Sequence, residues 1–552
     1  MISANGPRTG RPPVHATRGV VSTPHYLASQ SGLAVLRQGG SAVDAAIAAN
    51  AVLCVAYPHM AGLGGDGFWL IAGGAAEGVE ALNASGPSGA KASREHFAAQ
   101  GITGALPMRG AMAALTVPGA VDGWRLAHER HGRRPWAELF ADAISYARDG
   151  VAVTRSLADW IAADAEILAR DESAAPIFLP GGVPLREGAR FAQPALADTL
   201  ERIAAQGARA FYEGEIPERI CRVMGPQGSP LTVDDFARFR AQWVSPISTG
   251  YRGHDVFQMP PSTQGFAALQ ILNLLEGFDV AAFGDGTADY YHHLVEATRV
   301  AFADRDEWLT DPDFVDIPLD ELLSQEYATE RRSLIRSATA HPVGQPEPGI
   351  RFGAEFDKRA ADGDTVYFCV TDADGMFVSS IQSIYHDFGS GVMAGSTGVI
   401  MQNRGSFFSL DPAHPNRLEP GKRTFHTIIP AMLMRDGEPV MAFGTMGGEG
   451  QPQTQSAMLT RVLDFGYDVQ QAIEAPRWLS GRTWGTESQD LFLEGRIGDE
   501  VGRELKLRGH PVKWVSDWEG SLGHAQAIRL DRESGLYEGG ADPRGDGMAA
   551  GY

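Results

Sequence analysis

Cysteine is nearly absent from this 552-residue chain, which holds only Cys54, Cys221 and Cys369. Three scattered thiols build neither a disulfide framework nor a zinc site, so each is expected to act as a small buried hydrophobe. Positive charge is scarce too, with 47 Lys and Arg against 68 Asp and Glu for a formal net charge of −21. Such a surface repels phosphate backbones and anionic lipid, and no basic run overrides it, so nucleic acid and membrane are not expected partners. Long apolar runs are missing as well. The most apolar stretch, Ala42 to Tyr57, carries Asp44 and Asn50 and stops at Pro58. It is too short to span a bilayer and reads as a buried helix. The opening MISANGPRTGRPPVHATRG is basic but has no apolar stretch behind it, so neither a secretory signal nor an anchor is expected. The cytoplasm is the expected compartment.

Several catalytic signatures are also absent. No G-x-S-x-G elbow, H-E-x-x-H pair or Walker lysine loop occurs, which leaves serine-hydrolase, zincin and P-loop readings without support. Gly62-Leu63-Gly64-Gly65-Asp66-Gly67 matches G-x-G-x-x-G in letters only. A helix is expected before it and a strand after it, the reverse of a dinucleotide-binding turn. Close backbone approach inside a layered fold is the better reading.

What remains is ordinary for a globular protein: 43% hydrophobic and 21% charged residues. The length suits roughly three or four domains, or one large layered fold. Helical periodicity runs over Tyr26–Arg37 and ends at Gly39-Gly40, and Ser41 to Asp44 then forms a capping box for the next helix. Phe68–Ile71 reads as a strand, and Asp122–His131 and Trp136–Ala147 as helices. His292-His293 is expected on a helix, partly at the surface. Arg332 to Asp364, around HPVGQPEPG, reads as an exposed linker. Val366–Thr371 and Met376–Ile384 then form a hairpin around Asp372-Ala373-Asp374-Gly375. A second hairpin pairs Thr427–Met434 with Pro439–Phe443, followed by Gly444 to Gly448 and a helix over Thr454–Phe465. The glycine amides would lie near that helix's positive end.

The informative junction is Asp362-Gly363-Asp364-Thr365-Val366. A threonine opening a strand behind a linker could attack the preceding carbonyl and so free its own α-amine. That amine, with an ordinary pKa of about 8, could then act as the base that a weak threonine nucleophile lacks. Taken alone, threonine at a strand start is usually structural, because β-branched residues favour strands.

The wider sequence resembles the γ-glutamyltransferase family. Segments that carry the resemblance include Gly39-Gly40-Ser41-Ala42-Val43-Asp44-Ala45-Ala46, Gly64 to Phe68, Val117-Pro118-Gly119-Ala120-Val121, Met259-Pro260-Pro261-Ser262 and Ala303-Asp304-Arg305. Phe388-Gly389-Ser390-Gly391, Gly447-Gly448, Asp542-Pro543-Arg544 and the closing Ala550-Gly551-Tyr552 extend it along almost the whole chain. The resemblance implies an α+β fold, the four-layer αββα sandwich of N-terminal-nucleophile hydrolases. It further implies self-cleavage between Asp364 and Thr365 into a large subunit, 1–364, and a small one, 365–552, intertwined as one unit. Thr365 would be the nucleophile, Ser383 the hydroxyl beside its amine, and Gly447 and Gly448 the oxyanion donors. No metal or organic cofactor is implied. The partners would be a small-molecule amide and the two subunits of one precursor, with a dimer of processed heterodimers left open.

The substrate-reading positions depart from the family pattern. No arginine stands near Leu82-Asn83-Ala84-Ser85-Gly86, where the family holds its glutamate carboxylate. Tyr385, Arg404 and Phe407 replace the asparagine, glutamine and aspartate, and His426-Thr427 the paired serines. Losing an acid while gaining Arg404 favours a substrate with a carboxylate and no ammonium. A structural ion pair remains an equal reading of Arg404 and of His426. Together with Tyr57-Pro58-His59-Met60, these changes make the chain similar to the branch that includes oxamate amidohydrolase. Hydrolysis of a small carboxylate-bearing amide is the first expectation. γ-Glutamyl transfer or hydrolysis is the alternative, and a β-lactam side-chain acylase or a binding scaffold without turnover lie further off.

Overall fold

The computed structural model describes residues 10–342, 346–353, 364–481 and 488–552. Seven strands of the sandwich precede residue 364: β1 (Val14–Ala16), β2 (Val20–Thr23), β3 (Asp66–Ala72), β4 (Val79–Ala84), β5 (Gln242–Val244), β6 (Ile247–Tyr251) and β7 (His254–Gln258). Seven follow: β8 (Asp364–Thr371), β9 (Phe377–Tyr385), β10 (Ala431–Arg435), β11 (Glu438–Thr445), β12 (Ala525–Asp531), β13 (Leu536–Ala541) and β14 (Met548–Gly551). They form two seven-stranded sheets, ordered β1-β13-β12-β11-β10-β7-β6 and β14-β2-β8-β9-β3-β4-β5. Both sheets mix strands from either side of residue 364.

Side-chain alternation turns these sheets into layers. Along β8, Val366, Phe368 and Val370 join the core beneath one helical layer, while Tyr367 and Cys369 join the core between the sheets. The helical layer over β8 holds α1 (Tyr26–Arg37), α2 (Ala42–Ala56) and α3 (Ala120–His131), and α4 (Arg155–Ala163) follows later in the chain. The opposite layer holds α5 (Gly265–Glu276), α6 (Ala288–Trp308), α7 (Gln451–Leu463) and α8 (Val469–Glu474). The result is the expected αββα sandwich.

Helix α2 shows how composition sets packing. All fifteen of its residues are buried, and Ser41 and Asp44 cap its first turn reciprocally. Its alanines let α1 approach so closely that a Cβ on Gly32 would fall 3.1 Å from the Ala45 carbonyl oxygen. Among the described residues no helix is long and apolar enough to cross a membrane.

The structure corrects several expectations. Strand β10 begins at Ala431 and not at Thr427, because Pro430 has no N–H for a ladder and Ile429 instead donates to Gln451 Oε1 at 2.9 Å. Residues Trp136–Phe140 wind as a 3-10 helix before an α-helix over Ala141–Asp149. Helix α7 starts at Gln451, three residues early, with Pro452 in its first turn. His292 and His293 are buried, His292 lying 2.8 Å from His510. Cys54 and Cys369 are buried as expected, but Cys221 is only partly so. The expected linker is partly docked. Asp304 and Glu307 of α6 accept from the Gly349 and Phe352 amides, both at 2.8 Å, and Trp308 donates to the Ile350 carbonyl. The remainder of that segment, 343–345 and 354–363, lies outside the described residues.

Candidate active site

Strand β8 brings Thr365 alongside the end of β9. Its pairing runs Asp364↔Tyr385 and then Val366↔Gln382, so β9 carries one extra residue across from Thr365. Bulges of this kind re-aim side chains. Tyr385 accommodates the irregularity at φ 81°, unusual for a residue with a Cβ. Two glycines allow the loop before β3 to press against this region. A Cβ on Gly65 would fall 2.4 Å from the Ser383 carbonyl oxygen, and one on Gly64 2.1 Å from that of Ile400. The close-approach reading of the glycine run therefore holds.

Thr365 is 1% exposed, and its hydroxyl oxygen has no hydrogen-bond partner among the described residues. The Ser383 hydroxyl accepts from its own bulge, through Tyr385 N at 2.8 Å, and from Arg404 Nη2 at 3.0 Å. Arg404 is fully buried, its guanidinium carbon 4.6 Å from the Tyr385 ring centre and 5.6 Å from that of Phe407. Phe407 stacks in turn on Phe425 at 4.1 Å. Among the described residues no carboxylate lies in ion-pair contact with Arg404, and its Nε and Nη1 lack partners. Burial lowers its pKa to about 10, only partly offset by the more distant Asp66 and Tyr385. The structural ion-pair reading of Arg404 thus fails among these residues.

His426 does have a carboxylate partner, but as a hydrogen bond and not as an ion pair. His426 Nε2 lies 3.1 Å from Asp66 Oδ2, and its Nδ1 is 3.0 Å from the Thr424 carbonyl. Asp66, opposite Ser383 in the β3–β9 ladder, also accepts from the Gly86 and Gly119 amides at 3.1 and 3.0 Å. Burial lowers the His426 pKa despite the carboxylate, and the Arg404 charge adds to the effect.

Past β11, Gly447 and Gly448 adopt φ of 116° and 51° and open a single turn leading into α7. Only glycine takes both conformations readily. The Gln264 side chain spans this turn and Thr427, donating to the Gly448 carbonyl at 3.0 Å and the Thr427 carbonyl at 2.6 Å. Arg305 donates to Gln264 Oε1 at 3.0 Å and pairs with Glu449 at 2.9 Å, fixing the turn from behind. The Thr427 hydroxyl is buried without a partner among the described residues.

Ser383, Tyr385, Arg404, His426 and Thr427 are thus brought into one connected cluster, joined through Gln264 to the glycine turn. Thr365 lies in the strand beside Ser383. The Asp364 backbone pairs in β8, but its side chain and the residues ahead of it are outside the described set. Sequence reasoning missed Asp66, Gln264 and Arg305. Asp66 and Arg305 stood inside matching segments, and Gln264 sits two residues beyond one.

A profile described as Gamma-glutamyltranspeptidase matches residues 28–552. The chain belongs to the gamma-glutamyltranspeptidase family. Among curated members of this family, it is 46% identical over 538 residues to a glutathione hydrolase-like YwrD proenzyme of Bacillus subtilis, covering 98% of this chain and 99% of that one. An oxamate amidohydrolase proenzyme of Klebsiella pneumoniae is 43% identical over 542 residues, covering 97% and 99%. Among solved structures, a cephalosporin acylase from Bacillus halodurans superposes with a TM-score of 0.90 at 38% identity, over 99% of this chain and 98% of that one. This gamma-glutamyltranspeptidase-family chain is accordingly a self-processing amide hydrolase or acyltransferase of the N-terminal-nucleophile class.

Proposed function

We propose that the protein hydrolyses the amide of a small carboxylate-bearing, amine-free substrate of the oxamate type through an acyl-Thr365 ester. The observation that carries this reading is Arg404, a buried cation with two nitrogens unpartnered among the described residues and held beside Ser383 by aromatic rings. A substrate carboxylate would meet those donors in the fork geometry that guanidinium favours. The 43% identity to a protein named oxamate amidohydrolase supports the same chemistry.

In this mechanism the chain is cut between Asp364 and Thr365, and the freed amine takes the proton of the Thr365 hydroxyl. The hydroxyl oxygen attacks the amide carbonyl, and the Gly447 and Gly448 amides hold the resulting oxyanion, each donor worth about 3 kcal/mol. The intermediate expels the amine as the C–N bond breaks, and water then hydrolyses the ester. Ser383 would hold the Thr365 amine in position, with Tyr385, His426 and Thr427 shaping the acyl pocket.

The test is intact mass spectrometry of purified protein, followed by ammonia release from oxamate beside cleavage of a γ-glutamyl anilide. Chains beginning at Met1 and Thr365, with oxamate turned over, would support the proposal. Cleavage of the anilide alone would refute it in favour of γ-glutamyl chemistry, the reading suggested by the name of the 46%-identical relative.

A further inference from the structure

Strand β11 ends beside the start of β12, Thr445 pairing with Ala525, and runs through Met446 into the glycine turn. Beyond Met446 opens a cleft of about 780 Å3 lined by Arg155, Ser156, Trp160, Met446, Trp518 and His524 among others. Three contacts tie it to the glycine turn. Met446 immediately precedes Gly447, its amide donates to the His524 carbonyl at 3.3 Å, and a Cβ on Gly447 would fall 3.2 Å from Gly523 Cα.

The cleft sets two indoles among charges that balance, Arg155 and Arg544 against Asp159 and Glu519, which suits a planar group without net charge. Trp518 is 43% exposed yet held by Arg496, whose guanidinium lies 3.5 Å from its ring centre, and Trp160 adds a second, half-buried indole. An exposed, immobilised tryptophan offers contact area at little entropic expense. Behind Ser156 and His524 of the lining runs a hydrogen-bonded chain. His59 Nε2 lies 3.2 Å from Ser156 Oγ, which lies 3.0 Å from Tyr57 Oη, and that oxygen is 3.4 Å from His524 Nδ1. Burial keeps both imidazoles uncharged at neutral pH, with His524 lowered to about 4, so this chain, which reaches the cleft at Ser156 and His524, presents donors and acceptors without ionic charge of its own.

We propose that this cleft binds the leaving-amine side of the substrate, and that the preferred amine is a planar aromatic or heteroaromatic one. The inference rests on the acyl reading above, because a carboxylate held by Arg404 directs the amide nitrogen the other way. The chemistry is unchanged. The Thr365 Oγ–C bond forms, the C–N bond breaks, the departing aryl amine takes the proton from the Thr365 ammonium, and water releases the acid.

The experiment compares N-phenyloxamate with oxamate on the processed enzyme. The expected kcat/KM is about tenfold higher for N-phenyloxamate, the upper range of one aromatic contact. Trp518→Ala should remove most of that advantage while leaving oxamate turnover within about twofold, and Trp518→Phe should restore it. N-phenyloxamate cleaved no faster than oxamate, or Trp518→Ala slowing both equally, overturns the proposal. If neither amide is cleaved the acyl reading has failed, and direct binding decides for the cleft. Saturable quenching of tryptophan emission by 4-aminobenzamide, lost in Trp518→Ala, would support the site, and absence of saturation would refute it.

Discussion

Replacing Arg404 by Met separates a substrate-binding role from a structural one, because the two predict opposite effects on stability. In the free protein the guanidinium is fully buried, with one hydrogen bond to Ser383 and two aromatic neighbours. Its pKa falls to about 10, a drop of roughly two to three pH units that at about 1.4 kcal/mol each disfavours the charged native state by about 3 kcal/mol. This penalty is complete at neutral pH and fades only as pH rises above the folded-state pKa. Met removes it and loses the Ser383 bond and the ring contacts, together worth about 2 kcal/mol. The net expectation is a variant as stable as the parent or about 1 kcal/mol more so. Activity should move the other way. Removing one partner of a buried charge pair costs about 3–5 kcal/mol, so kcat/KM for oxamate should fall by a factor of about a hundred or more, mostly through KM. Self-cleavage should still go to completion. The assays are thermal unfolding, steady-state ammonia release and a denaturing gel. A variant several degrees less stable whose kcat/KM is unchanged would refute the reasoning and make Arg404 a packing residue.

Thr365→Ala should remain a single inactive chain by intact mass, and two subunits in that variant would place the scissile bond elsewhere. Asp66→Ala would leave the Gly86 amide and His426 Nε2 without their partner, while Gly119 keeps the Gly65 carbonyl and His426 Nδ1 the Thr424 carbonyl, so a loss of about 2–4 kcal/mol is expected in urea unfolding. Burial lowers His25 and His510 to about 3 and His292, His386 and His524 to about 4. Their neutral forms stabilise the native state above the ordinary histidine pKa, and that stability is lost as pH falls below it, by up to about 1.4 kcal/mol per pH unit for each. Melting temperatures should therefore drop steeply between pH 6.5 and 4, and a flat profile would contradict the assignment. Burial and the neighbouring Asp387 raise Asp164 to about 8, so its protonated form favours folding and that benefit is lost as pH climbs from the ordinary carboxylate range to about 8. Asp164→Asn should accordingly lessen the decline in stability between about pH 6.5 and 8 and leave the slope above pH 8 unchanged.

Much of this architecture is legible in the sequence because local signals agree with tertiary packing. Ser41 and Asp44 announce α2, and the apolar alternation around Asp372 to Gly375 announces the hairpin that carries Thr365. The boundary at Ala431 was misjudged where apolar pattern competed with backbone chemistry: Thr427, Ile428 and Ile429 suit a strand, but Pro430 breaks the ladder. His292-His293 misled because a polar pair on a helix suggests solvent, whereas His510 supplies a partner from over two hundred residues away. Asp66 shows the same limit at the site. Nothing local in a glycine run reveals that its one acid will receive two distant amides and an imidazole. Arg404 was readable as a residue but not as a charge unpaired among the described residues, since that lack is a property of three-dimensional packing.

The threading of both sheets by strands from each side of residue 364 also bears on biogenesis. If the backbone is cut there, as proposed, neither fragment owns a complete sheet. Unfolding then becomes dissociation, and recovery becomes a bimolecular search whose yield depends on concentration. The uncut chain meets no such requirement, since its own continuity holds the two sets of strands together. Folding before scission is thus the only order in which assembly stays first-order, and the mature molecule, once unfolded at low concentration, would have no comparable way back.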